Sequence, residues 1–247
     1  MGKKFDLKAS EHLGSSESKK NFNEEHFAES ARHYDFVARV LSFGQDYSWK
    51  RHLVDGLAPM KAPTVVDIAC GTGDITFLLA EKYSDGEILG ADLTQEMLDL
   101  AESRNINSHV SFSKQDMNHL ELADNSVDIL TGGYAIRNAP NLGQTLEEFR
   151  RVLKPGGQMA FLDFSKPVAK LLQFIQFWAL KIWGSLWGLL LHGNPQVHGY
   201  ISESLLAYPD SEKLEKLFLD HGFKIENSKG FLSGMTRVYF LKSVESP

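Results

Sequence analysis

The chain of 247 residues has a single cysteine, Cys70, which excludes an internal disulfide and a thiolate-rich zinc site. It also lacks excess positive charge. With 26 Lys and Arg against 32 Asp and Glu, a net charge of -6 and a pI near 5.8, it has no footprint for a nucleic-acid backbone, and no nucleic-acid partner is expected. No apolar h-region opens the sequence, so Met1 to Lys20 does not read as a secretory signal. The longest apolar stretch, Val168 to Leu191, is broken by Lys170, Gln173, Gln176 and Lys181, and on that ground is not expected to span a bilayer. Repeats and low-complexity tracts are absent, and the nine histidines are scattered without metal-ligand spacing, so no metal is expected. These absences point to a cytoplasmic protein.

What remains is ordinary globular composition, 43% hydrophobic and 11% aromatic, in a length suited to one α/β domain. Residues 1–23 are polar and read as a flexible tail. Residues 24–243 read as a single domain, with a cover of two helices over 24–58 interrupted at Ser42-Phe43-Gly44. From Thr64 the pattern alternates. Strands are predicted at Thr64 to Ile68, Glu87 to Asp92, Val110 to Lys114, Val127 to Thr131 and Gln158 to Phe164, the last following a Lys154-Pro155-Gly156-Gly157 turn. Helices are predicted at Asp74 to Lys82, at Thr94 to Arg104 with Thr94 as N-cap, and at Leu142 to Leu153. A helix at Ser211 to His221 and two final strands, Phe223 to Ser228 and Met235 to Leu241, complete the chain. Such alternation gives a Rossmann-like, mostly parallel sheet with helices on both faces, closed by an antiparallel pair.

The strongest local signal is Asp67-Ile68-Ala69-Cys70-Gly71-Thr72-Gly73-Asp74 at the end of the first strand, where small residues let a ligand meet the backbone. Thr76 stands where a dinucleotide fingerprint needs its third glycine, and no Lys-Ser/Thr pair follows Gly73 as a P-loop requires. Asp67 and Asp74 flank the turn with negative charge, which repels a pyrophosphate and welcomes an ammonium or sulfonium. Asp92, ending the second strand, is placed for ribose hydroxyls; Asp116, with Met117 beside it, is placed for an adenine. The set suits S-adenosyl-L-methionine better than NAD. Taken singly, each station reads equally well as a tight turn or a cap.

Beyond the turn, Ile136-Arg137-Asn138, Arg151-Val-Leu-Lys-Pro-Gly-Gly157 and Leu162-Asp-Phe-Ser-Lys-Pro167 complete a pattern that resembles the ubiquinone/menaquinone biosynthesis C-methyltransferases, part of the class I methyltransferases. The similarity runs from about Tyr34 to Phe240. The resemblance implies a seven-stranded sheet, S-adenosyl-L-methionine as cofactor, and a prenylated quinol precursor of the 2-demethylmenaquinol or demethoxy-benzoquinol type as acceptor. Cofactor contacts are expected at Asp67, Gly71, Thr72, Gly73, Asp92, Leu93, Met97, Asp116, Met117 and Gly133, and catalysis at Arg137, Asn138 and Tyr34. Arg137 can stabilise a ring oxyanion and Asn138 can orient a ring oxygen; the competing reading pairs Arg137 with a nearby Asp as a structural ion pair. His33, His198 and Tyr200 are minor acid/base candidates. The aromatic-rich stretch within 168–200 reads either as a core helix or as a substrate lid in peripheral contact with a membrane. The alternatives are an N- or O-methyltransferase of another lipid or small molecule, a nicotinamide oxidoreductase, and a non-catalytic cofactor-binding subunit. Oligomeric state, a homodimer included, stays open.

Overall fold

β-Branched and apolar residues fill the centre of the sheet: in β1 (Thr64–Ile68) the last four residues are buried, as a parallel strand covered on both faces requires. The structure is a computed structural model that describes residues 16–244. Three helices precede β1: α1 (Ser16–Ser30), α2 (Tyr34–Leu41) and α3 (Asp46–Asp55). After it come α4 (Asp74–Lys82), β2 (Glu87–Asp92), α5 (Gln95–Arg104), β3 (Val110–Lys114), β4 (Val127–Gly133), α6 (Leu142–Val152) and β5 (Leu153–Phe164). The chain ends with α7 (Lys170–His192), α8 (Gln196–Ala207), α9 (Ser211–Asp220), β6 (Phe223–Phe231) and β7 (Thr236–Ser243).

The seven strands lie in the order β3-β2-β1-β4-β5-β7-β6, with β7 antiparallel to both neighbours and the other pairings parallel. From β1 the chain first winds outward through β2 and β3, then returns to start again at β4 on the other side. The reversal opens a crevice between β1 and β4 at their carboxyl ends. Two cores flank the sheet. Trp49 and Leu53 of α3 pack with Leu78 and Leu79 of α4 on one face, and Phe149 of α6, Tyr200 of α8 and Phe218 of α9 lie in the other.

Two sequence expectations need correction, and two others gain detail. The tail expected through residue 23 is helical from Ser16 onward, where α1 buries Phe22 and Asn23; its earlier part lies outside the described residues. β5 starts at Leu153 and runs through the Pro-Gly-Gly sequence, with a register shift between Val127 and Ile129 of its partner absorbing the bend. Thr94 is the N-cap of α5 as expected but makes no side-chain cap bond, and its N–H donates to Asp92 Oδ1 at 2.9 Å. Helix α7 is core on one side only: Leu180, Trp183 and Leu191 pack against the core, and it buries fully just Gln176, Gly184 and Gly188, the two glycines because a Cβ at either would fall 2.6 Å from a backbone oxygen of His198 or Asn194. By length and composition alone α7 would suffice to cross a membrane.

Candidate active site

At the end of β1 the backbone turns through three left-handed residues, Ala69 (φ +50°), Gly71 (φ +54°) and Gly73 (φ +89°), before α4 begins. For Ala69 this conformation is strained, a cost that functional turns commonly carry. Tyr134 (φ +57°), just past β4 across the crevice, is strained likewise. Asp92 holds the turn: its Oδ2 accepts from Gly71 N at 2.8 Å while its other oxygen takes Thr94 N. Arg104 Nη1 donates to Thr72 O at 2.7 Å from the opposite side.

These elements line a chamber open to solvent. Among the expected cofactor residues, Gly71, Asp92, Leu93, Met97, Asp116, Met117 and Gly133 line it, joined by Ala69, Ala91 and Gln115. Asp116 Oδ1 accepts from Asn118 N, and Oδ2 pairs with Lys20 of α1 at 2.7 Å, so α1 lies against the adenine end expected from the sequence. Asp67 and Thr72 line a smaller adjoining cavity with Gly71, Gly133 and Tyr34. Gly73 lines neither; a Cβ there would stand 2.9 Å from Phe77, so it serves the turn and its packing.

The carboxylates flanking the turn are less available than their spacing suggested. Asp74 is held by Lys50 at 3.0 Å and Arg104 at 2.7 Å. Asp67 is fully buried and accepts from Thr76 Oγ1 at 2.7 Å and Thr131 Oγ1 at 2.8 Å. The threonine that displaced the third dinucleotide glycine therefore anchors Asp67. Burial pushes the Asp67 carboxyl up to about 6 despite those two donors. A folded value above the ordinary one means that the native state holds an extra proton below pH 6, and that stability falls as pH rises through 6. Asp67→Asn removes this dependence. In urea unfolding at pH 5 and pH 7.5, the variant should gain about 1 kcal/mol on the wild type between the two pH values; a constant difference would show that Asp67 does not titrate there.

A second chamber adjoins the first, sharing Phe27, Tyr34, Tyr134 and Asn138 with it. Tyr34 also borders the small cavity, so it stands where the three meet. The second chamber is walled by Val37, Leu41, Trp49, Phe164, Tyr200 and Ile201, with Arg137 as its cation. Arg137 is buried; its Nε lies 3.5 Å from Asp163 Oδ1, its Nη1 donates to Ser204 Oγ, and its guanidinium rests 5.5 Å from the Phe164 ring centroid and 5.6 Å from that of Tyr200. Arg137 is therefore ion-paired with Asp163 and also lines the chamber. Asn138 bonds at both ends of its amide: Nδ2 donates to Tyr134 O and Oδ1 accepts from Tyr200, each at 3.0 Å, which fixes the two tyrosines and leaves one N–H and one lone pair of the amide unused by these bonds.

Reading the sequence missed Asn23, His26 and Phe27, because α1 was taken as partly tail. Lys19 and Asn23 grip the backbone carbonyls of Ala139 and Asn138 at 2.6 and 2.7 Å, contacts that no local pattern announces. Tyr134 had a signal: it follows Gly132-Gly133 at the carboxyl end of β4, the crevice edge. Among the described residues, no group of three or more His, Cys, Asp or Glu could hold a metal ion.

A family model described as the ubiE/COQ5 methyltransferase family matches residues 15–240. The ubiquinone/menaquinone biosynthesis C-methyltransferase UbiE of Desulfotalea psychrophila is 32% identical over 218 residues, covering 88% of each chain. The demethylmenaquinone methyltransferase of Symbiobacterium thermophilum is 34% identical over 219 residues, 85% of this chain and 87% of that one. In three dimensions a SAM-dependent methyltransferase from Aquifex aeolicus superposes with a TM-score of 0.58 at 16% identity, over 79% of this chain and 89% of that one, which shows the shared fold. With a sheet reversing at β1 and β4, a chamber at that reversal, and a family match over nearly all the described residues, the chain belongs to the ubiE/COQ5 methyltransferase family and is an S-adenosylmethionine-dependent methyltransferase.

Proposed function

We propose that the enzyme methylates a ring carbon of a prenylated quinol, of the 2-demethylmenaquinol or demethoxy-benzoquinol type, in quinone biosynthesis. The observation that carries this reading is the second chamber: aromatic and apolar, with one buried guanidinium, and joined to the cofactor chamber at Tyr34. The names of the Desulfotalea and Symbiobacterium relatives support the same acceptor class.

The first chamber fits S-adenosylmethionine. Each Asp92 oxygen already takes one backbone N–H and keeps a lone pair for a ribose hydroxyl. Leu93, Met97 and Met117 offer apolar walls to an adenine, and Asp116 an acceptor for its amino group. Gly71 and Gly133 let the backbone come close, Thr72 borders the amino-acid end, and Asp67 acts there through its charge because its carboxylate is fully buried. Bound there, the cofactor supplies a methyl group made electrophilic by sulfonium charge. The protein must make the acceptor carbon nucleophilic, which it does by stabilising the phenolate oxygen with Arg137 in a chamber sheltered from water. Asn138 is a positioning residue that holds Tyr134 and Tyr200, and Tyr34 lies between the two chambers.

The helical cover over 24–58 and the lid over 168–200 close this chamber, and the lid also brings the enzyme to its lipid. The outer face of α7 exposes Leu171, Phe174, Ile175, Trp178, Ile182 and Leu190, and the helix contains no acidic residue. Its inner side meets α2, a wall of the acceptor chamber, through Trp187 on Phe36 and Trp183 on the Val40 carbonyl. A cytoplasmic enzyme with α7 lying in the membrane interface can take a prenyl tail without exposing it to water. Wild type should sediment with anionic phospholipid vesicles, and a variant with Leu171, Phe174 and Trp178 changed to serine should stay in solution while still methylating a short-chain quinol. Equal sedimentation of the two would remove α7 from membrane contact.

Labelled-methyl transfer tests the acceptor class. Reduced prenylated benzoquinols or naphthoquinols should take the label, and amines and catechols should not; transfer only to the latter would replace this reading with N- or O-methylation.

A further inference from the structure

Methylating an aromatic carbon leaves a proton that must be removed, and few groups in the acceptor chamber can accept it. No carboxylate lines the chamber among the described residues. Arg137 is held in its charged form by Asp163, and the phenols of Tyr34, Tyr134 and Tyr200 are pushed up by burial and keep their protons. Two lining side chains remain with a basic nitrogen, the imidazoles of His26 and His198.

Both have a buried ring nitrogen, His26 Nδ1 and His198 Nε2, without a hydrogen-bond partner among the described residues, and so does His192 at Nε2. Orphaned buried nitrogens cost stability, and three of them on or beside one chamber call for a functional cause. His33, His192 and His198 form a line of rings that ends at the chamber, which His26 also lines. His33 is exposed, its centroid 5.3 Å from that of His192; His192 is 5.1 Å from His198. His26 lies deeper, stacked on Phe22 and 4.2 Å from Tyr200, whose ring also faces Arg137. The close packing of α7 on α8 at Gly184 and Gly188 is what brings His192 against His198.

We infer that His26 takes the ring proton after methyl transfer and that His198, His192 and His33 pass it to solvent. This rests on the quinol reading. The quinol oxygen first gives its proton to solvent as the ring settles against the Arg137 guanidinium; the ring carbon then bonds to the methyl carbon as the methyl–sulfur bond breaks, its electron pair going to sulfur and cancelling the sulfonium charge. The carbon is now tetrahedral, within a dienone, and still carries its hydrogen. Transfer of that proton to Nδ1 of His26 returns the C–H electron pair to the ring and restores aromaticity. The product phenolate takes up one proton as it leaves, so each turnover releases one proton. A weak base suffices because regained aromaticity drives the step, and a weak base also gives the proton up again. Burial makes both imidazoles weak bases: His26 is held down to about 3, with His198 and Arg137 opposing its charge, and His198 to about 4, with His192 and His33 opposing.

The test compares wild type with His26→Gln and His198→Gln, on quinol protiated or deuterated at the target carbon. Wild type should show almost no isotope effect. His26→Gln should lose about 10²-fold in turnover and acquire a primary isotope effect, with S-adenosylhomocysteine affinity unchanged; His198→Gln should show the same pattern, more weakly. Nitrogen NMR of 15N-histidine-labelled protein at neutral pH should find His26 Nδ1 without a proton. An active wild type with variants that show no isotope effect, or a protonated Nδ1, would overturn the relay alone. A wild type idle on every quinol would overturn the acceptor reading and the relay with it.

Discussion

Arg137→Leu is expected to cut turnover by about 10²- to 10³-fold while S-adenosylhomocysteine binds within a few-fold of its wild-type affinity. The guanidinium lines the acceptor chamber and is absent from the cofactor chamber, so its loss falls on the phenolate rather than on the cofactor. It should also cost stability, about 3–5 kcal/mol, because Asp163, 5% exposed, would keep its charge without a cation. Structural and catalytic losses separate in a second variant. Arg137→Leu combined with Asp163→Asn leaves no buried charge and keeps an oxygen able to accept from Arg137's backbone N–H, now that of leucine. Its unfolding in urea should recover most of the lost stability while turnover stays low. If turnover recovered along with stability, Arg137 would be a fold element only.

Asp92→Ala should divide the other way. S-adenosylhomocysteine affinity should weaken by about 10²-fold, near 3 kcal/mol for the loss of two hydrogen bonds to a charged acceptor. At saturating cofactor, turnover should fall far less. Asp92 carries two loads, since it also anchors Gly71 N and Thr94 N, and both donors lose their partner in alanine. Asp92→Asn keeps one acceptor and the side-chain shape, so it should retain more of the stability than alanine and still bind cofactor poorly. Calorimetric titration of both variants checks this; a dissociation constant within three-fold of wild type in the alanine variant would remove Asp92 from the cofactor site.

The cofactor half of the site was legible because it is local. A β-branched strand, a turn of small residues and a carboxylate ending the next strand lie in one stretch of chain, and the parallel sheet dictates that these ends share an edge. Spacing placed Asp67 and Asp74 near the turn but could not say what else reaches them: Thr131 sits 64 residues from Asp67 and reaches it only because β1 and β4 pair in that register, and Lys50 reaches Asp74 from a different helix. The acceptor half was less legible for a similar reason. Helix α1 buries Asn23, His26 and Ser30 along with Phe22, a face too polar to register as apolar periodicity, and it is held by carbonyls more than 100 residues away. For α7 the residues were plain and the partner was not. An apolar helix fits a core as well as a membrane surface, and only the structure shows that Leu180, Trp183 and Leu191 pack on the core while the opposite face stays exposed.

The most direct test of the account is where the methyl group lands. Purified enzyme, S-adenosylmethionine labelled with 13C at the methyl, and reduced 2-demethylmenaquinone or a demethoxy-type benzoquinone would be incubated without oxygen and the product examined by carbon NMR. The account predicts a new methyl bonded to a ring carbon, in one or both acceptors. A methyl bonded to oxygen, or no transfer to either quinol by protein that binds S-adenosylhomocysteine tightly, would contradict it.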